Sequence, residues 1–285
     1  MFPSVSSYSF SGYIREGKMT QFDTIKKASE MGFEAIEFTD LELLYGLTEE
    51  ETARKYKEEA ERCGIKIAAY TVGASLIKDT EEETRAEIER VKAKVDIAAI
   101  LGAPVMRHDA YFAQNKYRSF DLSLPELAKN IREIAEYAEE KGVKTMVENH
   151  GRICQDSDRM ERLFNAVNHK NFGLLVDMGN FMCVDEEPYL AVSRVAPYAF
   201  HVHAKDFTRY EYGSSPLSGS ITTRGLAQIV PTVCGTGDVP LERCLAILKA
   251  VGYDGCVSIE YEGALDCIAA LTMGLSNLKK AFERI

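Results

Sequence analysis

The chain has 285 residues, 46% hydrophobic and 27% charged, with 34 Lys and Arg against 44 Asp and Glu for a formal net charge of −10. That is an ordinary globular composition with material for one large core, and the acidic balance without a dense basic run excludes nucleic acid as an expected partner. Seven scattered cysteines with no CxxC pair argue against a disulfide framework and against a thiolate zinc site.

The opening segment MFPSVSSYSF has no basic stretch followed by an apolar one, so no signal peptide is expected. The longest nearly apolar run, around Ile97 to Met106, is too short to span a bilayer. A reduced cytoplasm is the expected compartment, with no membrane partner.

Short β-rich runs alternate with longer amphipathic ones from end to end. In chain order, a strand over Val5–Phe10 precedes a helix over 20–31, Ala35–Thr39 precedes 48–63, Lys66–Val72 precedes 80–101, and Val105–Asp109 precedes 124–141. Lys144–His150 then precedes 157–167, Gly173–Met178 precedes 187–196, Phe200–Lys205 precedes 240–251, and Cys256–Tyr261 precedes 266–284. In LAKNIREIAEYAEEKG the apolar residues recur at three- and four-residue steps until Gly142 ends the helix. Thr48 followed by Glu51, and Thr80 followed by Glu83, read as capping boxes.

Eight strand–helix units with no strand-only block predict a parallel sheet. Eight units favour closure into a (β/α)8 barrel over an open doubly wound sheet, and the length suits one such barrel spanning 1–285. The irregular stretch 207–239 is expected to be a functional loop over the site.

In a barrel, chemistry collects where strands end at the C-terminal rim. The fifth strand ends in MVENHG, the sixth in LLVDMGN, the seventh in FHVHAKD and the eighth in SIEYEG. Four consecutive strands thus offer Glu148, Asp177, His203 and Glu260, spaced by 29, 26 and 57 residues. An isolated Asp or Glu after a strand is more often a helix cap or salt-bridge partner; the set of four points to one ion. Three carboxylates and an imidazole suit Mn²⁺, with Mg²⁺, Co²⁺ or Zn²⁺ as alternatives, and leave positions open for substrate oxygens.

VENHG, LLVDMGN, FHVHAKD, GTGDVP and SIEYEG fall in the order found in the xylose-isomerase-like barrel superfamily, which the chain resembles over essentially its whole length. That group includes sugar and sugar-phosphate isomerases, ketose 3-epimerases, inosose dehydratases and an endonuclease IV branch. The resemblance implies that Glu148 and Glu260 ligate the metal and act as the acid/base pair, with Asp177 and His203 as the other ligands. Removing a proton beside a carbonyl leaves an enediolate, which a nearby cation stabilises, and a carboxylate on each face can take and return the proton. The leading expectation is therefore a metal-dependent isomerase or epimerase of a small sugar-like substrate. A lyase that expels a β-hydroxyl or an aglycone is the alternative on the same site. A nuclease, or a barrel that only binds sugar or a partner, stands further off.

The resemblance also makes Arg209 a substrate contact, against a solvated loop arginine. Strand alternation places His150 on the face of Glu148, for a substrate role or a core bond to backbone. His108, ending the fourth strand, is a further pocket candidate, and His201 is expected to be a buried support for His203. Asn180 stands where the family often carries His; an amide can hydrogen-bond a substrate hydroxyl but is no strong metal ligand. GTGD reads as a phosphate cradle or, better, a tight turn, with Asp206 bracing the loop. Ile97, Ile100 and Leu101 read as core first and as a homo-oligomer face second.

Overall fold

The computed structural model describes residues 1–112, 116–213 and 219–285. Its centre is a closed barrel of eight parallel strands: β1 (Phe2–Ser6), β2 (Ala35–Thr39), β3 (Lys66–Val72), β4 (Val105–His108), β5 (Lys144–Glu148), β6 (Phe172–Asp177), β7 (Ala199–Ala204) and β11 (Cys256–Ile259). The closing pairs are β1 with β11, in register Phe2↔Cys256 to Val5↔Ile259, and β11 with β7. Around it run α2 (Asp23–Met31), α3 (Glu49–Cys63), α4 (Glu81–Leu101), α5 (Phe120–Glu140), α6 (Ser157–Val167), α7 (Pro188–Val195), α8 (Leu241–Ala250) and α9 (Cys267–Arg284), with a short α1 (Ser11–Arg15) before them. This is the (β/α)8 architecture that the alternation predicts. Both capping boxes form, with Thr48 accepting from the Glu51 amide and Thr80 from that of Glu83. Ile97 and Leu101 are buried on the inner side of α4 and belong to the core.

Three local expectations change. The first strand lies earlier than Val5–Phe10, because the Ser6 hydroxyl accepts from the Tyr8 amide and turns Ser7–Phe10 into a 3₁₀ helix. The fourth outer helix begins at Phe120, ahead of the expected 124, because Ser119 caps it through the Leu122 amide and Pro125 is carried inside it. The stretch 207–239 is more regular than a loop. There β8 (Asp206–Tyr210), β10 (Gln228–Thr232) and β9 (Ile221–Thr222) form a small antiparallel sheet, order β8-β10-β9. Its β-branched residues Ile221, Ile229 and Val230 explain the pairing; the part of this stretch over 214–218 lies outside the described residues.

Asp206 decides the GTGD turn. Its carboxylate accepts from the amides of Gly235 (2.9 Å), Thr236 (3.1 Å), Gly237 (2.8 Å) and Val239 (3.1 Å). The amides that could have cradled a phosphate are filled by the chain's own carboxylate, so the motif is a braced turn. A Cβ on Gly237 would lie 2.5 Å from the Phe207 carbonyl oxygen, so the turn admits no side chain there.

Candidate metal centre

Strand alternation sets which side chains enter the barrel. Along β4 it turns Arg107 inward, along β5 Met146 and Glu148, along β6 Leu175 and Asp177, and along β7 His201 and His203. At the C-terminal rim, Glu148, Asp177, His203 and Glu260 each offer an atom, and the four atoms lie within 4.8 Å of one another. All are buried, from 0% exposure for Asp177 and His203 to 9% for Glu260.

Each donor is held by neighbours that leave one atom turned inward. Asn149 clasps the backbone of Asp177, donating to its carbonyl (2.9 Å) and accepting from its amide (2.8 Å). Asp177 Oδ1 then accepts from the amides of Gly179 (2.8 Å) and Asn180 (2.9 Å). Gly179 is required here, because a Cβ would meet the Lys205 carbonyl oxygen at 2.7 Å. Asn180 Nδ2 donates to Glu148 Oε1 at 3.0 Å, while Arg107 Nε lies 3.2 Å from Glu148 Oε2. Lys205 Nζ sits 2.7 Å from Glu260 and 3.0 Å from Glu262. His203 Nδ1 faces Glu148, Asp177 and Glu260 at 3.6, 3.7 and 3.8 Å, too far for hydrogen bonds.

Two atoms in this cluster, Asp177 Oδ2 and His203 Nδ1, are buried with no hydrogen-bond partner. Buried polar atoms of native proteins are rarely left so. An oxygen and a nitrogen both turned toward two further carboxylates fit a hard divalent cation, which would satisfy both and offset the crowded negative charge. Two other groupings could be read as cation sites. Asp109, Glu148 and His150 converge, but the Arg107 guanidinium already lies there, 3.0 Å from Asp109. Glu37, His201 and His203 also converge, and they are closed by direct hydrogen bonds.

The electrostatics differ on the two sides of the cluster. Burial works against charge on Glu148, but Arg107 outweighs it and holds the carboxyl well below the usual range. Burial pushes Asp177 and Glu262 up. Burial also works against charge on Lys205, but Glu260 and Asp177 reverse that and raise its pKa well above the ordinary value. His150 is half-exposed; its partial burial lowers its pKa, and Asp109, 3.6 Å from Nδ1, outweighs that and raises it above the ordinary value.

The remaining sequence candidates separate. His150 lies beside Glu148 and Asp109 at the mouth, its ring set edge-on against Phe112. Asn180 touches Glu148 directly. His108 is wholly buried and takes the opposite face from Arg107, with Nδ1 donating to the Asp109 carbonyl at 3.0 Å; the structure does not bring it to the cluster. Arg209 lies on β8, its guanidinium 3.3 Å from Asp185 and 3.4 Å from Glu211, so its charge is answered away from the four donors. Sequence reasoning passed over Glu37, Arg107, Asp109 and Glu262. The available signal was a charged residue within a buried strand, as in AIEFT and VMRH.

Comparisons with known proteins give the family and the fold. The family model described as xylose isomerase-like TIM barrel matches residues 25–280, and the chain belongs to that family. An inosose dehydratase of Lacticaseibacillus casei is 24% identical over 207 residues, covering 70% of each chain. A solved L-ribulose 3-epimerase aligns with TM-score 0.75 at 15% identity, over 99% of this chain and 96% of that one. The IOLI protein solved with a bound zinc atom aligns with TM-score 0.74 at 18% identity, over 100% and 97%. Likeness to these two structures is one of fold. Among the described residues, no helix is long and apolar enough to cross a membrane.

Proposed function

We propose that the chain is a divalent-metal-dependent lyase that dehydrates a small polyhydroxylated ketone, with Glu148, Asp177, His203 and Glu260 as the ligands and Mn²⁺ as the first ion to test. The observation that carries this reading is the unlike pair of proton-handling groups flanking the four donors. His150 with Asp109 stands on the β4–β5 side, and Lys205 between Glu260 and Glu262 stands on the β7–β11 side. Glu148, Asp177, His203 and Glu260 would hold the cation, whose positive charge would favour loss of a proton beside a carbonyl.

The chain's own residues then divide the work. A base, His150 with Asp109 beside it, takes the proton from the carbon next to the carbonyl. The electron pair forms a carbon–carbon double bond as the β carbon–oxygen bond breaks, and the departing hydroxyl leaves as water with a proton from the Lys205–Glu262 pair. The inosose dehydratase relative supports a cyclic polyol ketone as substrate. The second reading is 3-epimerisation, favoured by one observation: Glu148 and Glu260 come from strands separated by β6 and β7, so they can address one carbon from two sides.

Incubating the metal-loaded protein with inosose in D₂O separates these. Loss of water with appearance of an unsaturated or dione product is the expected outcome, abolished in Glu260→Gln. Deuterium uptake with an epimer and no elimination would move the assignment to epimerase. No exchange and no product with any of the four metals, across ketoses and inososes, would overturn the enzymatic reading.

A further inference from the structure

We infer that Glu37 is a positioning residue of the metal centre, fixing His203 so that Nδ1 and not Nε2 is the nitrogen offered to the cation. The inference rests on the metal reading above and deepens it.

Glu37 enters the barrel from β2, which is separated from β7 by β1 and β11. It is 0% exposed, in a strand otherwise made of Ala, Ile, Phe and Thr. A carboxylate so placed is costly unless its oxygens are answered. Two imidazoles face them, and the hydrogen bonds fall on Oε2. His203 Nε2 lies 2.8 Å from Oε1 and 3.0 Å from Oε2, and His201 Nε2 lies 2.6 Å from Oε2. The Ser258 hydroxyl, 3.1 Å from His201 Nε2, completes the group.

An ionised carboxylate only accepts hydrogen bonds, so both Nε2 atoms must carry hydrogen and donate. In a neutral imidazole that leaves the lone pair on Nδ1. For His203 it points the lone pair at Glu148, Asp177 and Glu260, the direction of the cation. The opposite tautomer would aim an N–H at the metal. Ligating histidines are commonly oriented by such a carboxylate on the far ring nitrogen; here one carboxylate serves the ligand and a second, non-ligating histidine at once.

Glutamine at this position separates orientation from bulk. Either orientation of its amide sets the NH2, a donor, 2.8 or 3.0 Å from His203 Nε2, where the carboxylate offers only acceptors. Shared between two rings, the amide favours the wrong tautomer on one of them. The dissociation constant for Mn²⁺ or Zn²⁺, measured by chelator competition on the full chain, is therefore expected to rise about 10- to 100-fold in Glu37→Gln. Glu37→Asp, which keeps an acceptor-only group, should recover part of that loss. Long-range ¹H–¹⁵N spectra of the zinc-loaded wild type are expected to show Nε2–H on both His201 and His203, with zinc on His203 Nδ1. That measurement holds even where a variant fails to fold. Zinc on Nε2, or unchanged affinity in a folded Glu37→Gln, would overturn the role of Glu37 while leaving the metal centre standing. A wild type that takes up no metal would overturn the centre, and this inference with it.

Discussion

The mouth and the floor of this barrel are built on the same strands, two residues apart, and they differ in kind. Met146 lies below Glu148, and Leu175 below Asp177; with Ala69 and Val105 they form a small apolar cluster, closed off by Phe200. Below His203 the next inward residue is His201, and around it come Ser258, Ser4 and Glu37, all buried and polar. The floor is therefore apolar under Glu148 and Asp177 and polar under His203 and Glu260. A carboxylate has two equivalent oxygens and is held from beside, by Arg107, Asn180 and backbone amides. An imidazole has two inequivalent nitrogens, and fixing one for a cation requires a partner on the other, which only a polar floor provides.

Replacing a mouth residue and a floor residue on the same strand puts this division to the test. The largest effect is expected from Asp177→Asn, which preserves shape and removes a ligand charge. Elemental analysis should find stoichiometric metal lost while circular dichroism remains native; retained metal would place the ion elsewhere. Below it, Leu175→Ala should lower unfolding stability by about 2–5 kcal/mol through lost burial and a residual cavity. Denaturant titration measures this, and metal affinity of the folded fraction should hold. A fall in affinity matching that of Asp177→Asn would mean that floor and mouth are one unit.

The smallest effect concerns the third location, behind the strands. Burial drives the pKa of His108 down to about 4 from an ordinary 6.5. The unfolded chain thus takes up a proton at this residue before the folded one does. Its contribution to stability is complete well above pH 6.5 and is lost as pH falls toward 4, the loss reaching about 2 kcal/mol at pH 5. His108→Gln should flatten that part of the stability–pH curve and leave metal binding intact. A metal or substrate defect in this variant would return His108 to the mouth.

Much of this was legible along the chain. The eight-unit alternation, the capping boxes of α3 and α4, and the four strand-end donors all follow from short-range rules of period and punctuation. Alternation on one strand also separates neighbours: in VMRH, an inward Arg107 obliges an outward His108. The small sheet over 206–232 was harder, because its strands are short and β10 contains Pro231, which a strand reading discounts.

What sequence determined by itself, then, was which groups arrive at the rim, since each strand fixes its own facing and its own end. Only the tertiary structure decided what each group meets there. Glu37 reaches His203 across 166 positions of sequence, Lys205 meets Glu260 across 55, and Asp206 closes on amides about 30 residues away. Those meetings depend on barrel closure and on the stagger between strands, which set depth and distance across the interior. No single strand encodes either of them.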